Sequence, residues 1–113
     1  HLSTDPAERP GQAALLKLAL TEVSRPVSVG ADLNENSGGA GWRTVADGLT
    51  DTAVAADRAD RCTYSGANPR QRIDAIFVDP RITVLDYDVV DTELTRRASD
   101  HFPVLVDLLL PPT

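Results

Sequence analysis

The residues best suited to chemistry are an acid and an imidazole that are adjacent near the end of the chain. Asp100 and His101 fall within residues 99–104, Ser-Asp-His-Phe-Pro-Val, directly before the apolar run 105–110. A carboxylate beside an imidazole can hold a divalent cation and transfer a proton at neutral pH within one small space. Because an isolated Asp-His pair is also typical of a surface turn before a strand, its meaning depends on the other polar residues.

A second polar pair, Asp32 and Asn34, follows the alternating stretch 27–30. Residues two apart in an extended chain project to the same side, so the two side chains are expected to leave the strand end together. The carboxylate can accept a proton, and the amide can donate a hydrogen bond to a developing oxyanion. The alternative is an Asx-rich turn that closes the strand, and it is the better interpretation of an isolated Asp-x-Asn.

A third carboxylate, Asp74, stands near the start of a predicted strand over residues 73–78, which is rich in β-branched and aromatic side chains. A carboxylate that leads into a core strand is costly unless it is paired. One interpretation is a salt bridge to Arg72 or to another arginine. The functional interpretation is a carboxylate that orients the imidazole of His101, fixes its tautomer and raises its basicity.

Taken in this order, these segments resemble the motifs of the endonuclease/exonuclease/phosphatase family, the deoxyribonuclease I-like metal-dependent phosphoesterases. Residues 30–34, Gly-Ala-Asp-Leu-Asn, are similar to the family's Gly-Asp-Phe-Asn, with an inserted Ala and a Leu for the aromatic residue. Residues 72–77, Arg-Ile-Asp-Ala-Ile-Phe, resemble its Arg-x-Asp-Tyr-Ile-Phe, and residues 99–104 match its Ser-Asp-His-x-Pro-Val throughout. The opening His-Leu-Ser is similar to a fourth motif, so the resemblance spans the whole chain.

The resemblance implies a fold, an activity and a set of site residues. The fold is α/β, with residues 1–113 as the C-terminal portion of a single domain. They would form half of its four-layer α/β/β/α sandwich, a mixed sheet with flanking helices. The activity is attack of water on phosphorus, assisted by Mg²⁺ or Mn²⁺. The implied roles are an orienting carboxylate (Asp74), a base or phosphate-contacting imidazole (His101), a water-positioning carboxylate (Asp32), a charge-stabilising amide (Asn34), a metal ligand (Asp100) and a phosphate or leaving-group contact (His1).

Composition narrows the class of substrate. The net charge of −6 argues against a protein that coats nucleic acid through a basic surface. It favours a small-molecule, lipid-headgroup or sugar phosphoester over long duplex DNA. The single Cys62 excludes an internal disulfide, and two histidines with one cysteine do not make a usual structural zinc site. No apolar run approaches the roughly 20 residues of a membrane span.

The chain contains no Met and opens on His1, so we expect it to be one part of a longer protein, and the family resemblance implies that this part is the C-terminal half of the domain. The other half would supply an Asn and a metal-binding Glu. We therefore expect this chain to cover an open sheet face with that half or with a second copy of itself. Two alternatives remain: a non-catalytic binding module that keeps the fold, and a fragment that is inactive on its own.

The elements that must position these residues follow from periodicity. An apolar stripe from Ala13 to Val23 predicts a helix that ends near residues 25–26, and residues 42–49 predict a second, shorter helix with Trp42 as a packing anchor. Strands are predicted over 27–30, 73–78, 82–90 and 104–110. The first should be buried, and the last, apolar on both faces, should be central. The third should be half-exposed, with Leu85, Tyr87 and Val89 on one face and Asp86 and Asp88 on the other. Residues 57–70 are predicted to form a solvated loop beside the site.

Overall fold

A computed structural model describes all of residues 1–113, which form four helices and five strands. The strands make two antiparallel sheets, one in the order β1-β3-β2 and one that pairs β4 with β5. No helix has the length and apolar character needed to cross a membrane. The elements are, in chain order, α1 (Arg9–Thr21), β1 (Ser28–Asp32), α2 (Ala40–Ala46), β2 (Thr50–Asp51), α3 (Thr52–Ala55), β3 (Asp74–Val78), β4 (Thr83–Val89), α4 (Glu93–Ala98) and β5 (Val104–Leu109).

The main core lies between the first two helices and one face of the three-stranded sheet. Trp42 of α2 is 3% exposed and meets the ring of Phe77 edge-on, with centroids 5.5 Å apart. The predicted packing anchor is therefore confirmed. Helix α1 ends at Thr21, ahead of Pro26, so the prediction that its apolar stripe reaches Val23 is wrong, and that side chain is half exposed. The buried members of this core are Leu2, Ala13, Leu33, Trp42, Val45, Ala75 and Phe77.

Strand β1 is covered on one face only. Val29 and Ala31 pack against the main core, whereas Ser28 and Gly30 point away from it and are exposed. The prediction of a buried strand is therefore wrong for this face, because the main core, with its residues from α1 and α2, lies against the other face. The antiparallel register places Asp32 directly opposite Asp74, which brings two site carboxylates to the same end of the sheet.

The second sheet departs from the prediction in two places. Strand β5 pairs only with β4, and alternate residues such as Leu105 and Leu109 are exposed, so the expected central position is wrong within this chain. A bulge between Val84 and Asp86 shifts the side-chain alternation of β4. Leu85 is consequently 61% exposed and does not share the inward face of Tyr87.

The loop between α3 and β3 is less solvated than its polar composition suggests. Thr63 and Gly66 are buried, so the prediction of a solvated loop over residues 57–70 is wrong at these positions. The reason is that the loop folds inward against the segment that precedes β5, with hydrogen bonds from Phe102 N to Thr63 O and from Gly66 N to Asp100 O, both 2.8 Å. This segment therefore lies next to the predicted site.

Candidate active site

Polar residues from separate segments of the chain meet at one end of the three-stranded sheet. Asp32 ends β1, Asp74 begins β3, and His101 lies just before β5. An open cleft of about 500 Å³ adjoins them. Its lining residues are His1, Thr4, Asp32, Asn34, Tyr64, Gln71, Ile73, Asp100 and His101.

The closest contact between two side chains of the site joins Asp74 to His101. Oδ2 of Asp74 lies 2.8 Å from Nδ1 of the imidazole, and the two side chains are 18% and 30% exposed. The alternative salt bridge from Asp74 to Arg72 is wrong, because Arg72 instead makes two hydrogen bonds to Asp51, at 3.0 and 2.8 Å. A carboxylate that accepts from Nδ1 selects the tautomer in which Nε2 has a free lone pair. That nitrogen lies 3.8 Å from Oδ2 of Asp32.

The charges around the imidazole favour its protonated form. Partial burial by itself lowers the pKa of His101, but the hydrogen bond that the ring donates to Asp74 raises it. The negative charges of Asp74, Asp32 and Asp100 act in the same direction, and the net result is a pKa above the ordinary value of 6.5. The imidazole is therefore suited both to accept a proton and, once protonated, to contact an anionic oxygen.

Asp32 is the last residue of β1, and Asn34 lies in a tight turn that follows it. Asn34 has a φ of 50°, and its backbone N–H donates to Oδ1 of Asp32 at 2.8 Å. The prediction that both residues are extended is therefore wrong for Asn34, and the alternative Asx turn is present. Both side chains nevertheless line the cleft. The Asn34 amide donates to the carbonyl of Leu2 at 2.5 Å, so it ties the His1–Leu2 segment to the wall of the site.

His1 and Asp100 lie in the same cleft but outside the central contact. Both are lining residues, and neither side chain contacts the carboxylate of Asp74. Nδ1 of His1 is 3.1 Å from the carbonyl oxygen of Leu2. The roles assigned to His1 and Asp100, and to Asp32, Asn34, Asp74 and His101, stay predictions.

The donor set at the centre of the site fits a divalent cation. One ligand atom from each of Asp32, Asp74 and His101 can be chosen so that all lie within 4.8 Å of one another. Carboxylate oxygens are the ligands that Mg²⁺ prefers, and Mn²⁺ also accepts an imidazole. Asp100, the ligand expected from the resemblance, is a neighbour of this group and not a member of it.

The sequence analysis missed Tyr64 and Gln71, two cleft residues that lie in the loop between α3 and β3. The ring of Tyr64 lies 4.9 Å from the imidazole of His101, tilted by 44°. Its backbone also bridges to Gln71 and His101. The signal was a β-branched and aromatic pair, Thr63 and Tyr64, inside an otherwise polar loop.

Comparison with solved structures places this fold among known proteins. A protein of the endonuclease/exonuclease/phosphatase family from Bacteroides thetaiotaomicron superposes with a TM-score of 0.79 at 25% identity, over 96% of this chain and 46% of its own. The chain has the endonuclease/exonuclease/phosphatase fold. A mannosyl-6-phosphatase from the same organism gives a TM-score of 0.78 at 25% identity, covering 92% of this chain and 46% of its own. A family protein from Beutenbergia cavernae gives 0.66 at 25% identity, over 98% of this chain and 34% of its own.

The family resemblance drawn from the motifs and the predicted fold class are thus confirmed. The chain spans less than half the length of these relatives. No protein-family model matches the sequence, and no curated protein matches it significantly.

Proposed function

We propose that this chain is the C-terminal portion of a metal-dependent phosphoester hydrolase. The observation that carries the proposal is the 2.8 Å contact between Asp74 and His101, with Asp32 facing the other imidazole nitrogen. An imidazole held between two carboxylates, at an open cleft, is suited to move a proton or to contact a phosphoryl oxygen.

In the proposed reaction, a water oxygen bonds to phosphorus while the bond from phosphorus to the leaving alkoxide breaks. Asp32 positions this water or takes its proton, and His101, oriented by Asp74, acts as a base or contacts the phosphoryl oxygens. Asn34 stabilises their charge, and His1 contacts the phosphate or assists the leaving group. A divalent cation, when bound, would neutralise charge on the non-bridging oxygens, and Asp32, Asp74, His101 and Asp100 are the donors available to it.

The charge distribution supports a small substrate. Seven of the eleven basic side chains are paired with carboxylates, and no lysine or arginine lines the cleft. A long nucleic acid gains most of its affinity from Lys and Arg contacts to phosphates, which this cleft does not offer. We therefore propose a small phosphoester, and the sugar phosphate in the name of one structural relative is a reasonable first substrate to test.

We further propose that the exposed apolar faces of the second sheet, which include Leu85, Leu105 and Leu109, are covered by the remainder of the domain or by a second copy of the chain. The alternatives are a binding module without chemistry and a fragment that is inactive by itself. We expect the isolated chain to hydrolyse phosphoesters poorly, because a misplaced cation forfeits much of the charge stabilisation.

The test is an assay with Mg²⁺ or Mn²⁺ on p-nitrophenyl phosphate, its diester and mannose 6-phosphate. The chain is assayed alone and after combination with the remainder of its domain. We expect activity in the combined protein, with a loss of about 10²- to 10⁴-fold for His101→Gln. Glu22→Gln, a change at an exposed carboxylate directly after α1 and outside the cleft, is the matched control. Activity that survives His101→Gln would contradict the proposal.

A further inference from the structure

No strand pairing joins the two segments that carry Asp74 and His101. Asp74 begins β3 in the three-stranded sheet, whereas His101 precedes β5, which pairs only with β4 in the other sheet. No ladder of hydrogen bonds therefore sets the distance between them. Another connection between the two segments has to do so.

Thr63 provides this connection. Its side chain is fully buried, and its Oγ1 accepts hydrogen bonds from the backbone N–H groups of Ile73 and Asp74, at 3.1 and 3.2 Å. Its backbone carbonyl accepts from the N–H of Phe102 at 2.8 Å, and its own N–H donates to the carbonyl of Gln71 at 2.8 Å. One residue thus contacts the backbone of Asp74 and the residue that follows His101.

The residues after Thr63 extend the same contact. Gly66 N–H donates to the carbonyl of Asp100 at 2.8 Å, and the ring of Tyr64 lies beside the imidazole of His101. A Cβ atom at Gly66 would lie 2.8 Å from the backbone oxygen of Ser99, so the loop approaches this segment as closely as a glycine allows. Residues 63–66 therefore contact the backbone on both sides of the imidazole.

We propose that Thr63 is a positioning residue that sets the separation between the carboxylate of Asp74 and the imidazole of His101. This proposal extends the phosphoester hydrolase function proposed above, and a role of Thr63 in catalysis rests on that function. A displacement of reacting groups by about 1 Å can cost on the order of a hundredfold in rate. A hydroxyl that holds the first residue of β3 in register can therefore affect turnover without touching substrate.

A buried hydroxyl could also serve folding alone, and the chain offers a matched control for that alternative. Thr52 is likewise fully buried, and its Oγ1 donates to the carbonyl of Ile76 at 2.8 Å. Ile76 lies on β3 only two residues after Asp74, but Thr52 contacts neither member of the pair. Thr63→Val and Thr52→Val each remove one buried hydroxyl with little change in shape, so both should destabilise the chain.

The deciding measurement is the ¹⁵N NMR signature of the His101 ring, recorded on the 113-residue chain at a fixed pH at which the ring is neutral. We expect the wild type and Thr52→Val to show predominantly the Nδ1–H tautomer, and Thr63→Val to show a mixture of tautomers. Thr63→Ser, which keeps the hydroxyl, should restore the wild-type signature. If Thr63→Val does not fold, Thr63→Cys, with a weaker acceptor atom, gives the same comparison.

In the combined protein, Thr63→Val should lower kcat by about 10- to 100-fold and leave KM nearly unchanged. A Thr63→Val ring signature identical to that of the wild type would overturn the proposal, as would an equal change in Thr52→Val. A changed ring signature in a protein without phosphoesterase activity would support the positioning role and contradict the proposed function, so the two failures can be told apart.

Discussion

Asp51→Asn is expected to destabilise the chain by about 3 kcal/mol, because it removes the charge partner of a buried arginine. The Asp51 carboxylate receives two N–H groups of Arg72, and the two side chains are 14% and 6% exposed. Oδ1 of Asp51 also accepts from the N–H of Ala53, which caps α3. Asparagine is an equally good helix cap, so this substitution removes the charge and keeps the cap.

The magnitude follows from the surroundings of the guanidinium. Removal of one partner from a buried ion pair costs about 3–5 kcal/mol. We expect the lower end of this range, because the asparagine oxygen can still accept one hydrogen bond. In addition, the guanidinium of Arg72 lies 4.8 Å from the ring centroid of Trp42 and keeps that cation–π contact. For a chain of this size, 3 kcal/mol corresponds to a drop in Tm of about 12 °C.

The assay is urea and thermal unfolding followed by circular dichroism, with Asp91→Asn as the matched control. Asp91 makes the same kind of bidentate contact to Arg96, at 2.6 and 2.9 Å, but these side chains are 40% and 44% exposed. An exposed pair of this kind contributes about 0–1 kcal/mol. The double variant Asp51→Asn/Arg72→Met should lose less stability than the sum of its single variants, because it leaves no uncompensated charge in the interior.

Equal decreases in the free energy of unfolding for Asp51→Asn and Asp91→Asn would refute this reasoning, because burial would then not determine the cost of losing the carboxylate charge. Additive decreases in the double variant would also refute it. Either result would mean that the start of β3, and with it Asp74, is held by the sheet and the loop without help from this ion pair.

The remaining predictions concern the imidazole and two glycines. Because the hydrogen bond and charge of Asp74 raise the pKa of His101, Asp74→Asn should lower that pKa in an NMR titration without metal, whereas Glu22→Gln should not. A raised folded-state pKa means that His101 stabilises the fold fully at pH values below 6.5, and that this contribution is lost as the pH rises through the folded-state pKa. Urea unfolding of the wild type should show that decline, and His101→Gln should lack it. Gly66→Ala should cost about 1–3 kcal/mol, because its Cβ would collide with the Ser99 carbonyl. Gly30→Ala, where the nearest atom is 3.7 Å away, should cost nothing measurable by the same method.

Local patterns predicted most elements of the fold. The spacing of apolar residues located α1, and runs of β-branched residues located β3 and β4, because these signals depend on one element and its own periodicity. The wrong predictions concern which elements lie next to one another in the fold. The apolar composition of β5 indicated a central strand, yet within this chain it pairs with a single neighbour, and which strands flank it cannot be read from its own residues.

The two short elements before the loop, β2 and α3, were not predicted. Each is too short for a periodic signal, and Asp51, which caps α3, looks in sequence like any loop carboxylate. Likewise, the bulge that turns Leu85 outward arises from the pairing of β4 with β5 and leaves no mark in the alternation of β4 alone.

The sequence by itself determined which residue types the site contains and in what order, since four short motifs carry its acids, amide and imidazoles. The tertiary structure decided how they are paired. Asp74 contacts His101, 27 residues away, and not Arg72, which is two residues away in the chain. The reason is that Arg72 pairs with Asp51, while Thr63 hydrogen-bonds both to the start of β3 and to the residue after His101. A contact between two sheets depends on packing among distant residues, and no spacing within one segment encodes it.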